Sequence, residues 1–538
     1  MRQRDEPLLS SPSHRNAYPC KLLSFTLLSL ATVLCLCAGA AFLLLSPTAT
    51  NLCASSPDPA SCQAIVADAV LASPHAHPSR PAHVLRAILA TSLDRHDAAA
   101  EAVAGMRRRA SDPRHRAALE DCVQLMGLAR DRLADAAGAP DVDVDVDDVR
   151  TWLSAVLTDH VTCLDGLDDG PLRDSVGAHL EPLKSLASAS LAVLSAAGRG
   201  ARDVLAEAVD RFPSWLTARD RTLLDAGAGA VQADVVYTTI KEAVDAAPDG
   251  GKSRYVIYVK KGVYKENLEV GKTKRVLMIV GDGMDQTVIT GSRNVVDGST
   301  TFNSATLALS GDGIILQDLK VENTAGAEKQ QAVALRVSAD RAVINRCRLD
   351  GYQDTLYAHQ LRQFYRDCAV SGTVDFVFGN AAAVLQGCVL TARRPAQAQK
   401  NAVTAQGRTD PNQNTGTSIH RCRVVPAPDL APAAKQFPTF LGRPWKEYSR
   451  TVYMLSYLDS HVDPRGWLEW NGADFALKTL FYGEYQNQGP GAGTAGRVNW
   501  PGYHVITDQS VAMQFTVGQF IQGGNWLKAT GVNYNEGL

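Results

Sequence analysis

Four cysteines in a repeated register constrain this chain more than any other feature. Cys347, Cys368, Cys388 and Cys422 fall in segments of one form, RAVINRCRL, RQFYRDCAV, AAVLQGCVL and TSIHRCRV. GIILQDLKVEN repeats the form with Leu319 at the Cys position. Periods near 20 with strands this short suit a β-solenoid of stacked coils, with a loop inserted before the last cysteine. An all-β sandwich would not keep the cysteine register. Asp354 follows Cys347 by seven residues, and Asp375 follows Cys368 by the same seven. The two carboxylates therefore face one groove from neighbouring coils, about 4.8 Å apart along the stack. Both cannot ionise easily there, so one keeps a proton: a nucleophile beside a general acid. Gln353 and Asp354 would point oppositely on a regular strand, so a shared site requires a bend. Glycines and asparagines are expected at the corners, where φ is positive. Cys347 and Cys368 are expected to be disulfide-bonded, since bridging needs Cα atoms within about 7 Å. The pairing of Cys388 and Cys422 is left open.

The 538 residues exceed what one core usually organises, and the composition shifts along them. Residues 51–205 are rich in Ala, Leu, Asp and Arg with helical apolar spacing, as in AALEDCVQLMGLARDRLADA. From about residue 232 the chain turns to Val, Ile, Thr, Tyr, Gly and Asn, the composition of strands and turns. Helices first and strands second predict two separate folding units, 51–205 and 232–538, joined by a linker over 206–231. Residues 22–45 carry no charge, and Arg2, Arg4, Arg15 and Lys21 precede them. That pattern predicts a cytoplasmic tail over 1–21 and a signal anchor, rather than a cleaved signal peptide, over 22–45. Cys53 onward then matures in an oxidising compartment. Cys53, Cys62, Cys122 and Cys163 allow three pairings. No CxxC or His spacing suggests a metal site, and no cofactor is expected. Residues 225–538 hold 32 Lys/Arg against 29 Asp/Glu, a net +3 that is compatible with a polyanionic substrate. No basic run is interleaved with aromatics, so no nucleic-acid partner is expected. No G-x-S-x-G elbow supports a serine hydrolase.

GVYKEN, QAVALRV, GYQDTLYAH, GTVDFVFGNAA and LGRPWKEYSRTV, in this order, resemble the signature blocks of plant pectin methylesterases. Residues 51–205 resemble the pectin methylesterase inhibitor domain that precedes the enzyme in many plant members. The resemblance implies a right-handed parallel β-helix enzyme preceded by a four-helix bundle, with pairings Cys53–Cys62 and Cys122–Cys163. It implies Asp375 as nucleophile on the methyl ester of galacturonate and Asp354 as proton donor and base. Gln331 and Gln353 would supply oxyanion amides, and Arg443 would hold the nucleophile and lower its pKa. Trp445 and Trp467 would stack on sugar rings. The implied partners are methyl-esterified homogalacturonan, a subtilisin-like protease acting at Arg221, Leu223 and Leu224, and an inhibitor domain acting on its own enzyme or a separate one. The implied destination is the plant cell wall. A β-helical lyase or glycosidase and a non-catalytic pectin-binding protein are the competing readings.

Overall fold

The structure is a computed structural model that describes residues 51–73, 80–138, 145–197 and 236–538. The expected anchor at 22–45, the linker over 206–231 and the processing motif Arg221–Leu224 lie outside the described residues. Among the described residues no helix is long and apolar enough to cross a membrane.

The Ala/Leu-rich half forms α1 (Pro59–Ala72), α2 (Pro81–Arg109), α3 (Pro113–Gly138), α4 (Val146–Asp165) and α5 (Pro171–Ala197). Proline begins α1 and α2, where its missing N–H costs nothing. The Asp58 carboxylate caps α1 by accepting from Ser61 N at 3.0 Å. Leu119, Cys122, Leu125, Met126, Ala129 and Leu133 recur at three- and four-residue steps along α3 and are all buried. The four long helices pack as a ring, α2 on α3 and α5, and α4 on α3 and α5. Cys53–Cys62 ties the entry segment to α1, and Cys122–Cys163 ties α3 to α4.

The remainder is a solenoid of three parallel sheets with ten, eight and seven strands; each of the first seven coils gives one strand to each sheet, and the later coils give fewer. A short helix, α6 (Ile240–Ala246), packs Ile240, Ala243 and Val244 onto the first coil. This covers an end that would otherwise expose unpaired strands. The seven-stranded sheet carries the site through β1 (Leu335–Val337), β2 (Leu356–Ala358), β3 (Val377–Gly379), β4 (Asn401–Gln406) and β5 (Thr439–Gly442).

Inside the solenoid, Leu319, Cys347, Cys368, Cys388 and Cys422 stack in one register, immediately before the paired residues Lys320, Arg348, Ala369, Val389 and Arg423. The register is the one expected; the disulfide is not. Cys347, Cys368, Cys388 and Cys422 are all free and buried. In-register residues of parallel coils project side by side, whereas a bridge needs converging Cβ directions. Each thiol instead turns toward main-chain carbonyls: Cys347 to Leu316 O at 3.4 Å, Cys368 to Ile344 O at 3.3 Å, Cys422 to Leu385 O at 3.2 Å.

The helical bundle docks on the outer face of the seven-stranded sheet. Its core is continuous with Phe302, Ala308, Val333, Tyr357, Phe378 and Ala405 of the solenoid. Polar contacts flank that apolar seam. Arg132 pairs with Asp312 at 2.7 Å, Asp148 with Arg362 at 2.6 Å and Asp165 with Lys446 at 2.8 Å. The Thr162 hydroxyl lies 3.0 Å from His359 Nε2.

Candidate active site

Asp354 and Asp375 occupy equivalent places on successive coils, two residues before the paired Leu356 and Val377. Each closes a corner leading from the eight-stranded sheet into β2 or β3. Both backbones are left-handed, with φ of 67° at Asp354 and 53° at Asp375. This is the bend that lets Gln353 and Asp354 serve one cavity. The corners are stacked on one another: Asp354 N donates to Val374 O at 3.0 Å, and Thr355 Oγ1 to Ser371 O at 2.9 Å. Gly372, three residues before Asp375, is required by this close approach, since a Cβ there would collide with Phe376 and Thr355.

Arg443 follows β5 directly. Its Nε and Nη2 donate to the two oxygens of Asp375 at 2.8 and 2.7 Å, a planar fork on a carboxylate. Asp354 has no such cation on it. Burial, and then the charge of Asp375, push its carboxyl well above the ordinary range, with Arg443 opposing. Asp375 is also shifted upward, because burial outweighs the charge and hydrogen bonds of Arg443. Arg443 acts in the expected direction, lowering the Asp375 carboxyl, but burial is the larger effect. Both carboxyls are nearly sealed, at 6% and 5% exposure, and the docked helices form part of the seal.

Gln331 and Gln353 line the same cavity, of about 540 Å³, with Asp354, Asp375, Arg443 and Trp445. Gln353 O accepts from Ala332 N at 3.2 Å, which fixes the two glutamine segments side by side. Gln331 Oε1 is buried with no hydrogen-bond partner among the described residues. An aromatic strip runs across the coils. Tyr357 stacks on Phe378 at 4.2 Å, and Trp445 meets Phe378 at 5.9 Å.

Trp467 is elsewhere. It is 1% exposed, stacks on Tyr482 at 4.1 Å and points its indole N–H at Glu484. Its backbone pairs with Gly442 as a solenoid rung, which directs the ring into the core. The second cavity tryptophan, beside Trp445, is Trp470, three residues on, whose ring lies 4.4 Å from the Arg443 guanidinium. Sequence reasoning missed it, although the WLEW segment offers both tryptophans. The opposite wall belongs to the helical domain, through Arg114, His115, Ala118, Asp121, Thr162 and Asp165.

Two neighbouring carboxyls, one clamped by an arginine and one not, with side-chain amides in the same cavity, are the equipment of a carboxylic ester hydrolase. The pectinesterase family model matches residues 228–524, and the plant invertase/pectin methylesterase inhibitor model matches 48–193. The chain is 49% identical to pectinesterase 2.1 of Solanum lycopersicum, with 99% of each chain covered. It is 49% identical to a pectinesterase/pectinesterase inhibitor of Ficus pumila var. awkeotsang, covering 91% of both. Among solved structures, the pectin methylesterase from carrot is 56% identical with a TM-score of 0.56, covering 57% of this chain and 96% of that one. The chain belongs to the pectinesterase family, and its helical half is a pectin methylesterase inhibitor domain.

Proposed function

We propose that this chain removes methyl groups from homogalacturonan in the plant cell wall, using Asp375 as nucleophile. The observation that carries the reading is the pairing of an arginine-clamped Asp375 with a cation-free Asp354 at the same place one coil away. Asp375 attacks the ester carbonyl, and the carbonyl oxygen takes up negative charge opposite the amides of Gln331 and Gln353. Asp354 gives its proton to the departing methoxide, which leaves as methanol, and an acyl–Asp375 anhydride remains. Asp354, now ionised, takes a proton from water. The hydroxide cleaves the anhydride, freeing the galacturonate acid and regenerating Asp375. Arg443 keeps Asp375 oriented and charged despite its burial. Trp445 and Trp470, with Tyr357 and Phe378, form the walls for sugar rings.

In the full chain the inhibitor domain lies over this groove, so the reading includes an enzyme held closed until cut. A subtilisin-like protease acting at Arg221–Leu224 would separate the halves on the secretory route. Methanol release from methylated pectin, without chain shortening, tests the activity and separates it from a lyase or glycosidase. Asp375→Asn should abolish release, and Asp354→Asn should lower it at least about a hundredfold. Near wild-type release by Asp375→Asn would remove the nucleophile assignment.

A further inference from the structure

Two histidines meet at the centre of the inhibitor bundle. On α2, Leu89, Ser92, His96, Ala99 and Val103 are buried at three- and four-residue steps; on α4, Leu153, Val156, His160 and Leu164 are. Both histidines thus sit on stripes that call for apolar side chains. α2 and α4 are the diagonal pair of the helix ring, each packed on α3 and α5. The two imidazole centres are 5.6 Å apart, so their contact spans the middle of the bundle.

Nothing at that place receives a proton well. All four ring nitrogens are buried without a hydrogen-bond partner among the described residues. The hydroxyl one turn back on α2, Ser92, donates to Ile88 O at 2.8 Å and is used by its own helix. Among the described residues no third His, Cys, Asp or Glu completes a metal site with the pair. The charges that act on the rings are already engaged. Asp97, beside His96, pairs with Arg130 of α3 at 2.8 Å, and Lys184 of α5 pairs with Glu181 at 2.9 Å. Asp159, beside His160, turns to Gln360 of the solenoid. Unpaired imidazoles cost stability that leucines at the same places would not. Charging one costs far more, because the proton enters an apolar core beside a second imidazole. Burial accordingly lowers His96 to about 4, with Asp97 opposing and Arg130 assisting, and lowers His160 to about 3, with His96 and Lys184 assisting.

We propose that His96 and His160 are an acid latch: the bundle holds while both rings are neutral, and acid forces a proton onto them, opens the helices and uncovers the groove of the uncut chain. In the unfolded bundle an imidazole takes up its proton near 6.5, whereas in the folded bundle it does so only near 4 or 3. The stabilising share of each ring is therefore complete above 6.5 and is lost as pH falls toward those lower values. By pH 5 the two together should raise the unfolded-to-folded ratio of the bundle on the order of a hundredfold or more. The disulfide Cys122–Cys163 ties α3 to α4, but α2 carries no cysteine, so the diagonal is free to part. The solenoid has a core of its own, which keeps the three sheets in place when the bundle opens. At the seam, Asp121 and Asp159 are raised by burial and favour the docked state in acid, while His359 is lowered and opposes it. Substitution inside the bundle separates the latch from those groups.

The test uses the uncut full chain. Its helical circular dichroism is followed from pH 7.5 to pH 4, with urea unfolding of the helices at each pH. Helix stability should fall steadily below pH 6.5 in the wild type. His96→Leu combined with His160→Leu should flatten that fall and move the acid midpoint down by about one pH unit or more. His96→Gln combined with His160→Asn is neutral and smaller, so it makes the same test if the leucines overfill the core. Exchange of the imidazole C2 hydrogen, read by mass spectrometry, needs no variant, and should show both rings neutral in the folded chain down to pH 5. The uncovering is read through the pectin activity proposed above, on which that arm alone rests: methanol release by the uncut wild type should rise as its helices melt, and should not rise over the same range in the leucine pair. An acid midpoint unmoved by both pairs of substitutions, or rings that titrate near 6.5 in the folded chain, would overturn the latch. Helices that melt as expected, with no methanol released at any pH, would count against the pectin reading and leave the latch standing.

Discussion

Trp467 and Trp470 show how three residues separate a core role from a groove role. Trp467 is enclosed by Tyr453, Tyr482 and Tyr503, and truncating it leaves a void that neighbouring coils cannot close. Trp467→Ala should cost about 3–5 kcal/mol of stability, read from thermal or denaturant unfolding. Trp470→Ala should leave the melting temperature nearly unchanged and raise KM for pectin several-fold. The reverse pattern would return the groove role to Trp467. The aspartates, glutamines and arginine were legible because each lies inside a compact motif whose residue order fixes its place on a coil. The tryptophans were not, because WLEW follows β5 where the chain leaves the regular rung pattern. Which ring turns inward there depends on a single backbone pairing, Gly442 with Trp467. Arg443 lies on Asp375 and lowers its carboxyl as expected, while burial, which the sequence does not show, shifts the net value upward.

The corner, rather than the strand, is the element that makes this site. In each coil the residue just before the cysteine register is left-handed: Asp318, Arg346, Asp367, Gly387 and Arg421. A second left-handed residue, Asp354 or Asp375, recurs at the next corner of two coils. Glycine and asparagine were expected at such corners, but most are polar or charged residues that accept a strained φ because the coils above and below hold them. Left-handed backbone costs roughly 1–2 kcal/mol per non-glycine residue, so stacking must supply it. The coil period was legible from the cysteines alone. Their oxidation state was not, because Cα proximity is necessary for a disulfide and side-chain direction decides it. Burial also pushes the Cys347 thiol up to about 12, which removes the thiolate that alkylation needs. All four thiols are buried, so alkylation followed by peptide mapping should label Cys347, Cys368, Cys388 and Cys422 only after denaturation, and non-reducing digests should show no peptide bridged through them. Labelling of the folded protein, or a Cys347–Cys368 linked peptide, would contradict the free ladder.

Across the whole molecule, the seam between bundle and solenoid is a titrating surface. Docking buries Asp121 and carries its carboxyl from 3.8 up to about 7, with burial the main cause and the Thr300 hydrogen bond and Arg336 opposing it. Asp159 of α4, which faces Gln360, is raised well above its usual value by burial. A group whose docked pKa is raised favours docking below its free pKa, and that contribution is lost as pH climbs through the docked value. His359 works against these two. Burial and Arg336 hold it well below 6.5, so docking expels its proton under acid conditions. Below about 6.5, the ordinary imidazole value, the histidine offsets part of the carboxyls' proton uptake; above it, it does not. Affinity between the halves should therefore weaken as pH rises, with the Asp121 share lost as pH passes about 7. The amino-acid sequence showed both units but not this seam, since nothing local to α3 marks Asp121 as the partner of Thr300 and Asn303, some 180 residues away. A chain cut in the linker should run on gel filtration as one species at pH 6 and as two at pH 8. Asp121→Asn, which takes up no proton, should shift that separation to higher pH or make it shallower. Halves that part more readily at pH 6 than at pH 8 would reverse the sign and show that His359, not the two carboxyls, governs the seam.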